Sequence, residues 1–267
     1  MATENGVDTT GRAAITEPTL RTDRWWIAPL LTFLGLMAFV VYATVRTATQ
    51  KYYWVDDYEY LSPFASPCLS TICEPGSSHF GTPLGDFPKL VPLAIFTLPF
   101  LLGFRLTCYY YRKAYYRAFW LSPPACAVPE PHGKYTGETR FPLLMQNAHR
   151  YFFYMAVLIS LINTYDAIKA FHSPTGFGFG LGNIILVVNV MLIWAYTLGC
   201  HSCRHITAGR INHFSKHPVR YWLYQRASLL NGRHMQMAWA SLGMLVFTDA
   251  YIALVSAGTI SDLRFIG

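Results

Sequence analysis

The stretch LGCHSCRH, Leu198 to His205, follows a segment apolar enough to lie in lipid and sets Cys200, His201, Cys203 and His205 close together. Thiolates and imidazoles are the donors of zinc sites and of iron–sulfur centres, so this spacing raises the prospect of a metal group at a membrane edge. At about 100° per residue, Cys200 and Cys203 share one face of a helix while His201 and His205 share another, so one ion does not reach all four from a continuous helix. The completing donors must come from other segments at the same depth. His149, in QNAHRYFFY, and His234, in NGRHMQMAW, each open a long apolar run and meet that condition. The candidate ligand set is therefore His149, His234, Cys200 and Cys203, with Cys108, Cys126, His201 and His205 as substitutes.

Two cysteines with two histidines suit tetrahedral zinc or a Rieske-type [2Fe–2S] centre, in which two histidines replace two cysteines on one iron. The C-x-H and C-x-x-H boxes of soluble Rieske proteins do not occur here as a pair in their usual spacing. His149 and His234 also suit the axial positions of one b-type haem held between two helices. The outer side offers only His79 and His172, both in loops, so a second haem is not expected. Small buried cysteines in a helix are the plain alternative to all three.

The elements that must position these donors are long apolar runs in a chain of 267 residues that is 53% hydrophobic and 13% charged. Crossing roughly 30 Å of hydrocarbon takes about 20 apolar residues in a helix. Five runs qualify, at residues 25–47, 88–108, 149–171, 181–203 and 234–257, and predict an all-α membrane protein. The first run lies too far in and is too long for a cleaved signal peptide. Residues 1–22 read as a flexible polar tail ahead of a single anchor domain at 23–267. Of 21 lysines and arginines, the outer connections hold only Arg46, Lys51, Lys89, Lys169 and Arg264. Cationic loops resist translocation, so the N-terminus is expected inside and the C-terminus outside. This asymmetry accounts for most of the +7 net charge without any nucleic acid, and it leaves a basic inner face for anionic lipid or an acidic partner.

On this topology Cys200, Cys203, His149, His234 and Cys108 share one inner layer. The segment TCYYYRKAYYRAFW from Thr107 reads either as an interfacial collar continuing the second helix or as a quinone or partner contact. The following SPPACAVPEPHGKYTGETRFP, with Cys126 and His132, is too rich in proline and glycine for a continuous helix. Outside, Cys68 and Cys73 in SPCLSTICEPG face an oxidising compartment and are expected to form a disulfide. Tyr109, Arg112, Arg150 and Trp239 lie at a depth suited to a quinone's carbonyl oxygens, although each also has an ordinary interfacial reading. Asp166 and Asp249 fall inside predicted spans, where a carboxylate is a candidate for a proton path or a headgroup-level cap. The glycines of GFGFGLGN suit a tight outer turn. No nucleotide-binding glycine motif, nucleophile elbow or inward carboxylate pair occurs, so this chain is not expected to carry out flavin or hydrolytic chemistry alone.

RLTCYYYRKAYYR, CAVPEPHGKYTGETRFP, QNAHRYFFY and WAYTLGCHSCRH, in that order, resemble the five-helix membrane anchor of an actinobacterial type F succinate dehydrogenase, a respiratory complex II. The resemblance runs from about Arg24 to the C-terminus. It implies a multi-pass subunit of a bacterial plasma membrane. It also implies a flavoprotein subunit and an iron–sulfur subunit docked on the inner face, and a membrane-embedded Rieske-type [2Fe–2S] cluster passing electrons to quinone. Succinate dehydrogenation itself would belong to the partners.

Overall fold

The structure, a computed structural model, describes residues 21–86, 96–131, 144–173 and 176–267. Four of its helices are long and apolar enough to cross a membrane. They are α1 (Ile27–Thr49), α4 (Leu144–Lys169, apolar from Asn147), α5 (Leu181–Leu198) and α8 (His234–Ser256). Between them lie α2 (Leu98–Leu106), α3 (Tyr109–Ala118), α6 (His201–Ala208) and α7 (Pro218–Asn231). The second predicted span is represented by the nine residues of α2. Its first part lies outside the described residues, as do the tail up to residue 20 and the loop at 132–143 that carries His132.

Helix α5 packs against both α8 and α4, and α4 in turn against α2. Close approach has local causes. A Cβ at Gly103 would collide with the Phe152 ring, so α2 and α4 meet where glycine removes the obstacle. Much of α1 faces outward, with Leu31, Leu34, Val41 and Val45 exposed as a lipid-facing surface requires.

Two helices break where sequence periodicity predicts continuity. The fourth predicted span runs to residue 203, but α5 stops at Leu198, and Cys200 takes an extended conformation (φ −67°, ψ 147°) as the N-cap of α6. The aromatic collar likewise does not continue the second helix, because Cys108 is extended (φ −65°, ψ 131°) and caps α3. In both places a cysteine sits at a helix N-terminus. The proline at the start of α7 is an ordinary helix-start signal.

The connection after α1, expected on the outer side, forms a folded cap over residues 50–86. A short hairpin pairs β1 (Trp54–Val55) with β2 (Tyr60–Leu61), and Cys68–Cys73 is a disulfide with Cα atoms 6.3 Å apart. Strands β3 (His172–Ser173) and β4 (Gly176–Phe177) pair antiparallel, and Gly176 takes φ +125°. Strand β5 (Phe179–Gly180) pairs with β6 (Arg264–Ile266), tying the C-terminus to the start of α5.

Buried carboxylates fasten this cap to the spans. Asp249 of α8 accepts from Arg46 Nε (2.6 Å) and Nη2 (3.0 Å), from Tyr42 (2.5 Å) and from Ser62. Asp166 of α4 accepts from Ser66 (2.5 Å) and lies 2.8 Å from His79 Nδ1. Asp262 accepts from Tyr60 (2.8 Å), Tyr251 (2.5 Å) and the Gly182 amide (2.9 Å). Burial, and then the Asp262 carboxylate, push the Tyr60 phenol up from its ordinary value, so Tyr60 stays a neutral donor.

Candidate cysteine and histidine centre

The breaks after α2 and α5 create the site. Ending α2 at Leu106 and α5 at Leu198 turns Cys108 and Cys200 inward, and both become buried. His149 reaches the same layer from α4 and His234 from the first residue of α8, and both imidazoles are buried.

The four side chains form two facing pairs. His149 Nε2 lies 2.7 Å from Cys200 Sγ, and His234 Nε2 lies 3.4 Å from Cys108 Sγ. The pairs are neighbours, since Phe104 stacks on His149 and packs edge-on against Tyr196, which stacks on His234, and Cys108 and Cys200 belong to one apolar cluster. Among the described residues no three or more His, Cys, Asp or Glu side chains form a group that could hold a metal ion. The donors are gathered in one layer but do not converge as a mononuclear site requires.

Aromatic walls hold the imidazoles. Phe104 stacks flat on His149 with centroids 4.8 Å apart, and Tyr196 stacks on His234 at 4.9 Å. Thr107 Oγ1 lies 2.7 Å from His149 Nδ1, which fixes that ring with Nε2 toward the sulfur. His234 Nδ1 is buried without a hydrogen-bond partner. The start of α6 aims a dipole at one sulfur: the Ser202 amide donates to Cys200 Sγ at 3.4 Å.

The other sequence candidates lie elsewhere. Cys203 is buried on α6, in the same apolar cluster as Cys108 and Cys200, and faces neither imidazole. His201 and His205 are exposed on α6 with ring centroids 5.1 Å apart, and Cys126 is exposed near Arg117. Arg112 lies over Tyr109 at 4.9 Å, Arg150 is exposed, and Trp239 donates to Tyr110 at 2.5 Å.

Thr107 and Arg105 are the site neighbours that sequence reading passes over. Arg105 lies inside the second predicted span. It donates to Tyr111 (2.7 Å), the Ala238 carbonyl (3.3 Å) and Ser241 (3.4 Å), and lies over the Tyr196 ring at 4.7 Å. An intramembrane cation is itself a signal that could have singled it out.

Residues 27–258 match the family described as actinobacterial succinate dehydrogenase subunit SdhC. The chain also aligns with a chain of a solved structure titled "Mycobacterium smegmatis Sdh1 complex in the apo form", at 71% identity and a TM-score of 0.88, covering 96% of this chain and 97% of that one. A search of curated proteins finds no match.

Proposed function

The chain belongs to the SdhC family of actinobacterial succinate dehydrogenases and is a multi-pass membrane anchor subunit; from that premise we propose that it holds a Rieske-type [2Fe–2S] cluster and passes electrons through it to quinone. The flavoprotein and iron–sulfur subunits dock on the inner, basic face, and succinate oxidation takes place in them. The N-terminus lies inside and the C-terminus outside.

The observation that carries the reading is the pairing of two imidazoles with two sulfurs in one buried layer. A Rieske-type [2Fe–2S] unit spreads four protein donors over two irons, both histidines on one and both cysteines on the other, so it asks for two imidazoles and two sulfurs gathered in one layer and not for one convergent set. The donor chemistry, the Ser202 amide aimed at the Cys200 sulfur, and a His234 Nδ1 without a hydrogen-bond partner among the described residues fit such a group. Cys108, Cys200, His149 and His234 are the ligands on this reading, with Cys203 one turn beyond. When bound, the cluster supplies one-electron transfer at a potential raised by histidine ligation. The chain's own part is to orient and to exclude water: Thr107 fixes the His149 ring, while Phe104 and Tyr196 cover the imidazoles.

Low-temperature electron paramagnetic resonance of the dithionite-reduced complex, alongside an optical spectrum, tests this. A Rieske-type signal with low average g, lost in both His149→Ala and His234→Ala, is expected. A haem spectrum without that signal would replace the cluster by a single b-type haem. Silence in both, with stoichiometric zinc, would make the chain a non-redox scaffold.

A further inference from the structure

The connection from Gly199 to Arg233, between α5 and α8, carries five arginines, one lysine and no carboxylate. Its main element, α7, is held across the end of the bundle where the spans stop. Ala227, in the middle of α7, belongs to the same buried cluster as Cys108, Cys200 and Ala238. The Asn231 side-chain amide donates to the Gly199 carbonyl (2.8 Å), and Arg204 of α6 donates to Asn231 (3.2 Å) and Tyr224 (2.9 Å). A Cβ at Gly199 would lie 3.2 Å from the Leu230 carbonyl oxygen, so α7 packs directly on the stop of α5.

The two faces of α7 differ. On the bundle side Arg220 spends its guanidinium on the carbonyls of Thr207 (2.8 Å) and Gly209 (3.0 Å) at the end of α6. On the other side Val219, Trp222 and Leu229 are 69%, 52% and 68% exposed, at spacings that place them along one stripe of a helix. Arg226 stands in that stripe with its guanidinium 5.4 Å from the Trp222 ring centroid, and Lys216 is exposed just ahead of the helix. A face that is apolar, aromatic and cationic at once matches anionic headgroups laid over acyl chains, where tryptophan sits at headgroup level and arginine meets phosphate. To a protein partner's own cations this segment offers no carboxylate.

We propose that α7 is an interfacial helix lying in the headgroup layer at the cysteine and histidine end of the bundle. Val219, Trp222 and Leu229 point toward the acyl chains, while Lys216 and Arg226 meet the phosphates of an anionic phospholipid. Through the bond from Asn231 to Gly199, the helix sets the depth of the break that carries Cys200. The inference needs only a multi-pass anchor and holds whichever group the cysteine and histidine centre binds.

The test uses the assembled complex in nanodiscs of phosphatidylcholine mixed with phosphatidylglycerol, one or the other lipid carrying a diazirine in its acyl chains. After illumination, peptide mass spectrometry maps the adducts. They are expected on Val219, Trp222 and Leu229 as well as on the exposed Leu34 and Val41 of α1, with α7 enriched for phosphatidylglycerol. Lys216→Gln combined with Arg226→Gln is expected to lower that enrichment about tenfold while adducts on α1 stay as they were. Added salt should shrink the enrichment in the unaltered complex too, which needs no variant to fold. Adducts on α1 with none on α7 overturn the proposal and give the face to a docked subunit. Equal labelling of α7 by both lipids overturns it as well, since its cations would then select nothing. Because adduct mapping does not read the Rieske signal, failure of the cluster and failure of the interfacial helix are told apart.

Discussion

Thr107 shows how little a single side chain needs to touch to matter. Its hydroxyl lies 2.7 Å from His149 Nδ1 and also donates to the Gly103 carbonyl, so it fixes both ring orientation and tautomer from the turn before the helix break. Thr107→Val keeps the shape and removes the hydroxyl. The expected outcome is a cluster signal that survives with a shifted midpoint potential, read by redox titration under paramagnetic resonance. Cysteine replacements separate the two sulfur assignments. Cys108→Ser is expected to abolish the Rieske-type signal and lower the acid-labile sulfide of the complex by about two per chain, whereas Cys203→Ser leaves both unchanged, because Cys108 and not Cys203 faces an imidazole. Loss in Cys203→Ser with retention in Cys108→Ser would return the assignment to the CxxC pair. Sequence spacing favoured that pair because the periodicity of an unbroken helix sets Cys200 and Cys203 side by side. The break at Gly199 and Cys200 cancels that geometry, and nothing in the local composition announces it.

At the level of elements, the buried carboxylates act as fasteners. Asp249 receives Arg46, Tyr42 and Ser62, which joins α1, the outer cap and α8 at one point. Removing one partner strands a buried charge, so Asp249→Asn is expected to cost about 3–5 kcal/mol. The double replacement Arg46→Met with Asp249→Leu should recover part of that loss, and thermal unfolding in detergent micelles measures both. Gly182 belongs to the second fastening point, where a Cβ would collide with the Tyr60 ring. Gly182→Ala overpacks that contact and is expected to cost about 1–3 kcal/mol, seen as a lowered melting temperature. An intramembrane carboxylate reads in sequence as a candidate proton carrier or cap. The partners that make Asp166 and Asp249 clasps for the outer cap come from segments far away in the chain, beyond any local pattern.

For the whole molecule, orientation follows from charge. A reporter enzyme active only outside the cytoplasm, fused after Gly267, is expected to be active, and the same reporter fused at the N-terminus inactive. The opposite result would invert the inner and outer faces and place the cysteine and histidine layer away from the docked subunits. Membrane character and the apolar helices were legible in the sequence, because roughly 20 residues of uninterrupted apolar chain have few other uses. The disulfide was legible as well, since Cys68 and Cys73 are near in sequence and fall in one outer connection. So was the gathering of His149, His234 and Cys200 in one buried layer, because each sits at an end of an apolar run. Which sulfur meets which imidazole was decided only in three dimensions. It depends on two helix breaks and on the rotation of four helices about their axes, which side-chain packing between segments sets and which hydropathy along one segment does not record.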